Sequence, residues 1–272
     1  LEYNNKYTYN LNINPKICKY CGNTEKEYFK NKSHIIPESI GGHLIDNLEC
    51  DKCNSWFNEN IEQDFSKILN PLKTIFCIKG KKSIPTINTD IVNIKSNFEK
   101  QIEINFKNLK YKNIFDIKKY PINVDNSINC CNIYKTLCKI ALGVFNNQDM
   151  VHFSETLKWI KNLKEPVELP IILLGNKYAN VYLYLIDKPF LNIYIRRNKN
   201  YNFPYMFVEL NCRILSFYYI IPFIDLDKKK FLDKKELIEL YEKIFMLDSK
   251  KYSILDCNQN EFFYFRTKIN FK

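Results

Sequence analysis

The spacing of hydrophobic and polar positions changes several times along the chain. From Ile84 to Lys112 apolar and polar residues alternate (Ile91, Asn93, Ile94; then Ile102, Glu103, Ile104, Asn105, Phe106). A period of two predicts a β-hairpin or two antiparallel strands. From Ser127 to Phe145 the residues Ile128, Ile133, Leu137, Ile140, Ala141, Val144 and Phe145 recur at helical spacing, with Gly143 near the end, which predicts a buried amphipathic helix. A second helix is expected over Ser154–Leu163, with Ser154 as N-cap and Glu155 in its first turn. Strands dominate from Ile171 to Ile224, where Tyr, Val, Ile and Phe are dense, and Asp233 is placed to cap a last helix through Phe245. The most apolar stretch, Ile214–Ile224, contains Ser216 and Pro222 and is too short to span a bilayer, so it reads as a buried strand. With no internal repeat and no long linker, the fold class is α+β with an antiparallel sheet.

The segment up to about Lys67 has a different texture. Ser33–Ile36 reads as a short strand, Pro37–Gly42 as a loop and Ile45–Glu49 as a second strand. A helix from Asn54 would then present Trp56, Phe57, Ile61 and Phe65 on one face, completing a ββα unit. Two Cys-x-x-Cys pairs, Cys18/Cys21 and Cys50/Cys53, bracket the strands with 28 residues between them. Four thiolates at that spacing suit a closed tetrahedral zinc site, which substitutes for a core in a segment too small to build one. The pairs would tie the helix start to the chain before the first strand and hold His34 close to Asn54. The ten cysteines are too few and too uneven for a disulfide framework, so Cys77, Cys130, Cys131, Cys138, Cys212 and Cys257 read as buried free thiols.

Charge adds a partner class. A net charge of +11 suggests an anionic partner, with nucleic acid the usual one. The inference is discounted because 37 Lys against 4 Arg, together with abundant Asn, Ile, Tyr and Phe, is the bias of an AT-rich genome. Distribution is more informative: residues 1–70 carry a balance of −2 and residues 71–272 a balance of +13. Leu1–Asn5 has neither the basic start nor the apolar core of a secretory signal, so a soluble cytoplasmic protein is expected.

The runs Cys18-Lys19-Tyr20-Cys21, His34-Ile35-Ile36-Pro37-Glu38-Ser39-Ile40-Gly41-Gly42 and Asn47-Leu48-Glu49-Cys50-Asp51-Lys52-Cys53-Asn54 resemble the HNH, or ββα-metal, endonuclease family, in particular its zinc-stapled bacterial members. The likeness spans about 45 residues. It implies His34 as general base, Asn47 as a brace for the loop that orients His34, and Asn54 as ligand of a catalytic Mg²⁺ or Mn²⁺ beside the structural Zn²⁺. Asn58, one turn after Asn54, lies where some relatives place another ligand. Ser33 departs from the pattern. Many members carry Asp or His before the catalytic His, and a neutral hydroxyl is a weak ligand for a hard cation, so Glu38 and Glu62 are the candidates to supply a carboxylate. Glu62 alone would read as a solvated helix residue.

These readings give an HNH nuclease module over residues 1–70, with His34, Asn47 and Asn54 catalytic, Ser33, Asn54 and Asn58 at the catalytic ion, and Cys18, Cys21, Cys50 and Cys53 at zinc. Residues 71–272 form a basic α+β domain for target binding or regulation. The expected activity is hydrolysis of double-stranded DNA, in restriction or anti-phage defence by family analogy, with a homodimer for double-strand breaks and no membrane partner. The competing class is a zinc-containing nucleic-acid-binding protein without catalysis. The tract Lys228–Lys230 with Lys234 and Lys235 reads first as a solvated loop and helix start.

Overall fold

In a computed structural model of the chain the described residues are 16–79, 83–90, 92–97, 99, 101–107, 122–165, 168–175, 188–197, 202–212, 215–248, 252–258 and 262–269. Leu1–Asn5, Ile91, Ile214 and the last residues of the expected hairpin, 108–112, lie outside them, as do 176–187 within the strand-rich stretch.

The architecture is mixed α+β. A miniature hairpin of β1 (Ser33–His34) and β2 (Ile45–Asp46) precedes α1 (Asp51–Asn60) and α2 (Glu62–Ile75). The alternating segment forms a three-stranded meander, β3 (Ile87–Asn88), β4 (Val92–Ser96) and β5 (Ile102–Phe106), one strand more than a simple hairpin. Next come β6 (Ile122–Asn129), α3 (Cys130–Leu142), α4 (Ser154–Ile160), β7 (Ile172–Gly175), β8 (Phe190–Ile195), β9 (Met206–Cys212) and β10 (Leu215–Ile220). The described elements close with α5 (Lys234–Phe245), β11 (Tyr252–Leu255) and β12 (Phe262–Ile269). The main sheet is antiparallel in the order β11-β7-β10-β9-β8, and β12 pairs separately with β6.

Both faces of the main sheet are covered, which is why its strands read as almost unbroken apolar runs. Ile172, Leu174, Val208, Leu210, Phe217 and Tyr219 join one core with residues of α1 to α4, whereas Ile171, Leu173, Phe207, Tyr218 and Ile220 join Leu237, Tyr241 and Phe245 of α5 on the other side. The assignment follows strand alternation. Phe65 of α2 meets Phe217 of β10 with ring centroids 5.3 Å apart, so the N-terminal helices and the sheet share a core.

Several local expectations change. The single helix from Asn54 is two helices, broken at Ile61 (φ −128°), whose carbonyl accepts a hydrogen bond from Thr136 Oγ1 of α3 at 3.0 Å. The helix α3 is buried as expected, and the lysines of its polar stripe, Lys135 and Lys139, are buried with it. Ser154 is the first residue of α4 and makes no side-chain cap, because a 3₁₀ turn over Asp149–Phe153 already feeds the chain into it. Asp233 does cap α5, accepting from Glu236 N–H at 2.7 Å. Cys130 and Cys257 are a disulfide and not free thiols: the β6–α3 junction and the turn after β11 bring their Cα atoms to 5.1 Å, a separation a disulfide spans. Cys138 and Cys212 are buried thiols. No helix among the described residues is long and apolar enough to cross a membrane.

Candidate active site

The four cysteines converge. Their sulfur atoms all lie within 4.8 Å of one another, with Cys18 Sγ 3.8 Å from Cys53 Sγ and Cys21 Sγ 3.6 Å from Cys50 Sγ. Thiolates at the usual Zn–S length of about 2.3 Å in a tetrahedron stand about 3.8 Å apart, close to the two sulfur separations just given, so the set suits a zinc ion. Backbone geometry prepares it: Gly22 (φ +75°) closes the first knuckle by donating to Cys18 O at 2.7 Å, and Cys50 N–H points at Cys18 Sγ at 3.4 Å. The hydrogen bond with Cys53, outweighing burial, draws the Cys18 thiol down to about 4, whereas burial pushes Cys50 up to about 11.

The staple carries the rest of the unit with it. Lys19 N–H bonds Leu48 O at 3.0 Å, which fixes the first knuckle alongside the chain entering the second, and α1 starts directly at Cys50. Asp51 accepts from the N–H groups of Lys30 and Asn31, anchoring the approach to β1. β1 and β2 pair antiparallel, Ser33 with Asp46 and His34 with Ile45. The chain between them turns so tightly at Gly42 that a Cβ there would stand 1.9 Å from Ile36 O. Strand alternation then separates the two residues of β1: Ser33 is buried and His34 keeps 22% of its side chain exposed. Burial lowers the His34 pKa below its ordinary value, partly opposed by Glu38, whose Oε2 lies 3.8 Å from Nδ1.

Behind β1 lies a buried charge cluster that the sequence did not reveal. Ser33 Oγ donates a short hydrogen bond to Glu49 Oε2, and it also lies 3.3 Å from Asn54 Oδ1 on α1. Glu49 Oε1 faces Lys139 Nζ of α3 at 3.2 Å, and the same ammonium holds Glu62 Oε1 at 2.7 Å. Burial pushes the Glu49 carboxyl up to about 7 against the pull of Lys139. Burial alone would depress Lys139, but Glu49 and Glu62 outweigh it and hold the ammonium above the ordinary lysine range. A second pair sits alongside: Lys19 Nζ contacts Asp46 Oδ2 at 2.7 Å and donates to the carbonyls of Leu142, Gly143 and Phe145 at 3.3, 2.7 and 3.2 Å. Lys19 therefore ties the zinc knuckle to the C-terminal end of α3, where a helix has carbonyls to spare.

Residues 18–70 match the HNH endonuclease family. The match spans the zinc staple, both short strands, α1 and most of α2. No curated protein and no solved structure matches the chain.

Within the HNH segment the expected residues are unevenly gathered. Ser33 and Asn54 come together, His34 follows Ser33 on β1, and Asn58 is exposed one turn further along α1. Asn47 is half-buried in the turn after β2. Among the described residues its side chain makes no hydrogen bond, and Asp46 braces that turn instead, accepting from Leu48 N–H at 3.0 Å. Glu62 is engaged by Lys139 instead of solvated, and the carboxylate that reaches Ser33 is neither Glu38 nor Glu62 but Glu49. No local signal marks these partners: Glu49 lies between Asp46 and Asp51, and Lys139 shares its helix with Lys135. Among the described residues the four cysteines are the one convergent group of His, Cys, Asp and Glu ligands. The oxygens that meet at Ser33 are a hydroxyl, an amide and a carboxylate already paired with lysine. Of the lysine tract, Lys229 pairs with Glu236 and Lys234 with Asp256.

Proposed function

We propose that this protein is a nuclease that hydrolyses phosphodiester bonds of double-stranded DNA, with the HNH segment as its cutting unit and the basic remainder, residues 71–272, supplying the grip. The observation that carries the reading is the HNH match over a ββα unit with a four-cysteine cluster, in which a part-exposed His34 follows Ser33 on β1 and Ser33 meets Asn54 of α1. His34 serves as general base. Its lowered pKa keeps the imidazole neutral at neutral pH, and with Nδ1 turned toward Glu38 the Nε2 face is left to take a proton from water.

The donors at Ser33 suit a hard divalent cation held weakly, with Asn54 as protein ligand, Asn58 in reach of its waters and Mg²⁺ or Mn²⁺ as the ion. Such an ion would supply Lewis-acid stabilisation of the phosphate charge and of the leaving oxygen. The structural zinc has no open position and takes no part in chemistry. The positive balance of residues 71–272 supports phosphate contacts, whose signature is affinity that falls steeply with salt. One such unit cuts one strand, so a second copy would be needed for a double-strand break.

The test is cleavage of supercoiled plasmid by wild type and His34→Ala with Mg²⁺ or Mn²⁺. Nicking by wild type and its loss in the variant are expected. Equal cleavage by both proteins, or cleavage of RNA but no DNA, overturns the proposal.

A further inference from the structure

Residues 1–70 carry a charge balance of −2, a poor match to a polyanion, yet the fold sorts those charges unevenly. Four of the acids are already engaged: Asp46 with Lys19, Glu49 and Glu62 with Lys139, and Asp64 with Lys67 and Asn132. Several lysines are turned outward. Lys30, Lys32 and Lys52 are exposed and Lys16 is part-exposed, and among the described residues no carboxylate pairs with any of the four. They gather about one short segment. Asp51, the first residue of α1, accepts from the N–H groups of Lys30 and Asn31 at 3.1 and 3.0 Å, which pins the chain entering β1 beside Lys52. Lys52 Nζ lies 5.6 Å from the Tyr28 ring centroid and Lys16 Nζ 5.8 Å from that of Phe29. The acids next to this segment in the chain are the exposed Glu25 and Glu27, with Lys26 between them. Lys32 immediately precedes β1. With Ser33 buried, alternation puts Lys32 and His34 on the outward side, about 6.6 Å apart along the chain.

We infer that Lys32, with Lys30 and Lys52 beside it, forms a phosphate track on the HNH segment itself, which takes the backbone of the strand to be cut on the side of His34 toward residues 28–32. A lysine ammonium is a point charge that contacts a phosphate oxygen without reading the base. The track therefore fixes where the strand lies and leaves sequence choice to other residues. The positive remainder of the chain attracts the polyanion as a whole, whereas Lys32, two residues from His34, sets which phosphate reaches the base. The inference rests on the proposed nuclease reading for the use of that register, but binding through these lysines is measurable in a chain that cuts nothing.

The experiment is fluorescence anisotropy of a short labelled DNA duplex titrated with the full zinc-loaded chain across a salt series, in a His34→Ala background that leaves the DNA intact. Each lost phosphate contact lowers the slope of log affinity against log salt by about 0.9. Lys32→Gln should show that decrement, and the triple variant Lys30→Gln, Lys32→Gln, Lys52→Gln should lose about 2.7, one contact for each lysine. The losses should be equal on two duplexes of unrelated sequence. Lys67→Gln, which removes one charge from a lysine already paired with Asp64, should leave the slope unchanged. Lys32→Arg, which keeps the charge, should bind as the parent does. Zinc content is measured for each variant, so that lost binding is not mistaken for lost folding. An unchanged slope in the triple variant overturns the inference, as does an equal loss in Lys67→Gln, a loss confined to one of the two sequences, or no binding at low salt. A chain that nicks plasmid with the slope unmoved would sink the track and keep the nuclease, whereas one that binds through Lys32 but cuts nothing would do the reverse.

Discussion

Lys19→Met is the sharpest test of how the zinc knuckle is joined to the rest of the molecule. The Lys19 and Asp46 side chains are 1% and 3% exposed, and the lysine serves Asp46 and three carbonyls at the end of α3 at once. Methionine keeps the length of the stem and removes the charge. Asp46 is then left buried without a counter-charge, and the carbonyls of Leu142, Gly143 and Phe145 lose their donor. Breaking a buried pair from one side costs about 3–5 kcal/mol, a large share of the roughly 5–15 kcal/mol by which a protein is stable. With a urea slope of about 3 kcal/mol/M the midpoint should fall by more than about 1 M. Trp56 and Trp159 provide the fluorescence signal, measured with zinc present throughout. Adding Asp46→Asn, which keeps an acceptor for Leu48 N–H, removes the orphaned charge and should recover more than half of the loss. A Lys19→Met cost under about 1 kcal/mol, or strictly additive effects in the double variant, would refute the account of a coupled buried pair.

Three further outcomes are expected. The chain should hold about one zinc, lost together with its folded structure on chelation or thiol alkylation, because binding energy at a structural site is folding energy; well under one zinc per chain by elemental analysis would contradict the staple. Because burial lowers the His34 pKa, the acid limb of the cleavage rate should fall below the ordinary histidine value of about 6.5, leaving the rate flat across neutrality; a midpoint at or above that value would argue against His34 as the base. Gly42→Ala should lose about 2 kcal/mol or more in denaturant unfolding and most of the cleavage while keeping zinc, since its Cβ would meet Ile36 O at 1.9 Å and the loop after His34 would have to open. An alanine variant as stable as wild type would mean the loop is not held as described.

What the sequence conveyed was local chemistry and periodicity. The four cysteines announced themselves by spacing, the Ser33 to Asn54 run by order, and the sheet by strands such as Phe217–Ile220 whose apolar residues continue without a polar face. What it concealed were partnerships between distant residues. Nothing near Lys139 indicates that it will meet Glu49 and Glu62, because that contact exists only once α3 is laid against α1 and α2. The break at Ile61 was hidden for the same reason: the helical pattern runs on through it, and the hydroxyl that donates to its carbonyl lies on α3. Cys130 and Cys257 likewise look like ordinary apolar thiols until β6, α3 and β11 bring them together. Ser33 was legible as a departure from the family pattern, but its meaning needed the neighbours.

The reach of α3 into the HNH segment has a practical consequence for protein engineering. Phe57, Ile61, Phe65 and Ile68 are fully covered in the whole chain, and α3 supplies part of their cover together with Lys139 and Thr136. A piece cut at the edges of the matched sequence would expose that apolar surface and strand Glu49 without its cation. A transplantable HNH unit is therefore discontinuous in sequence: the stapled segment through α2, joined by a new linker to α3.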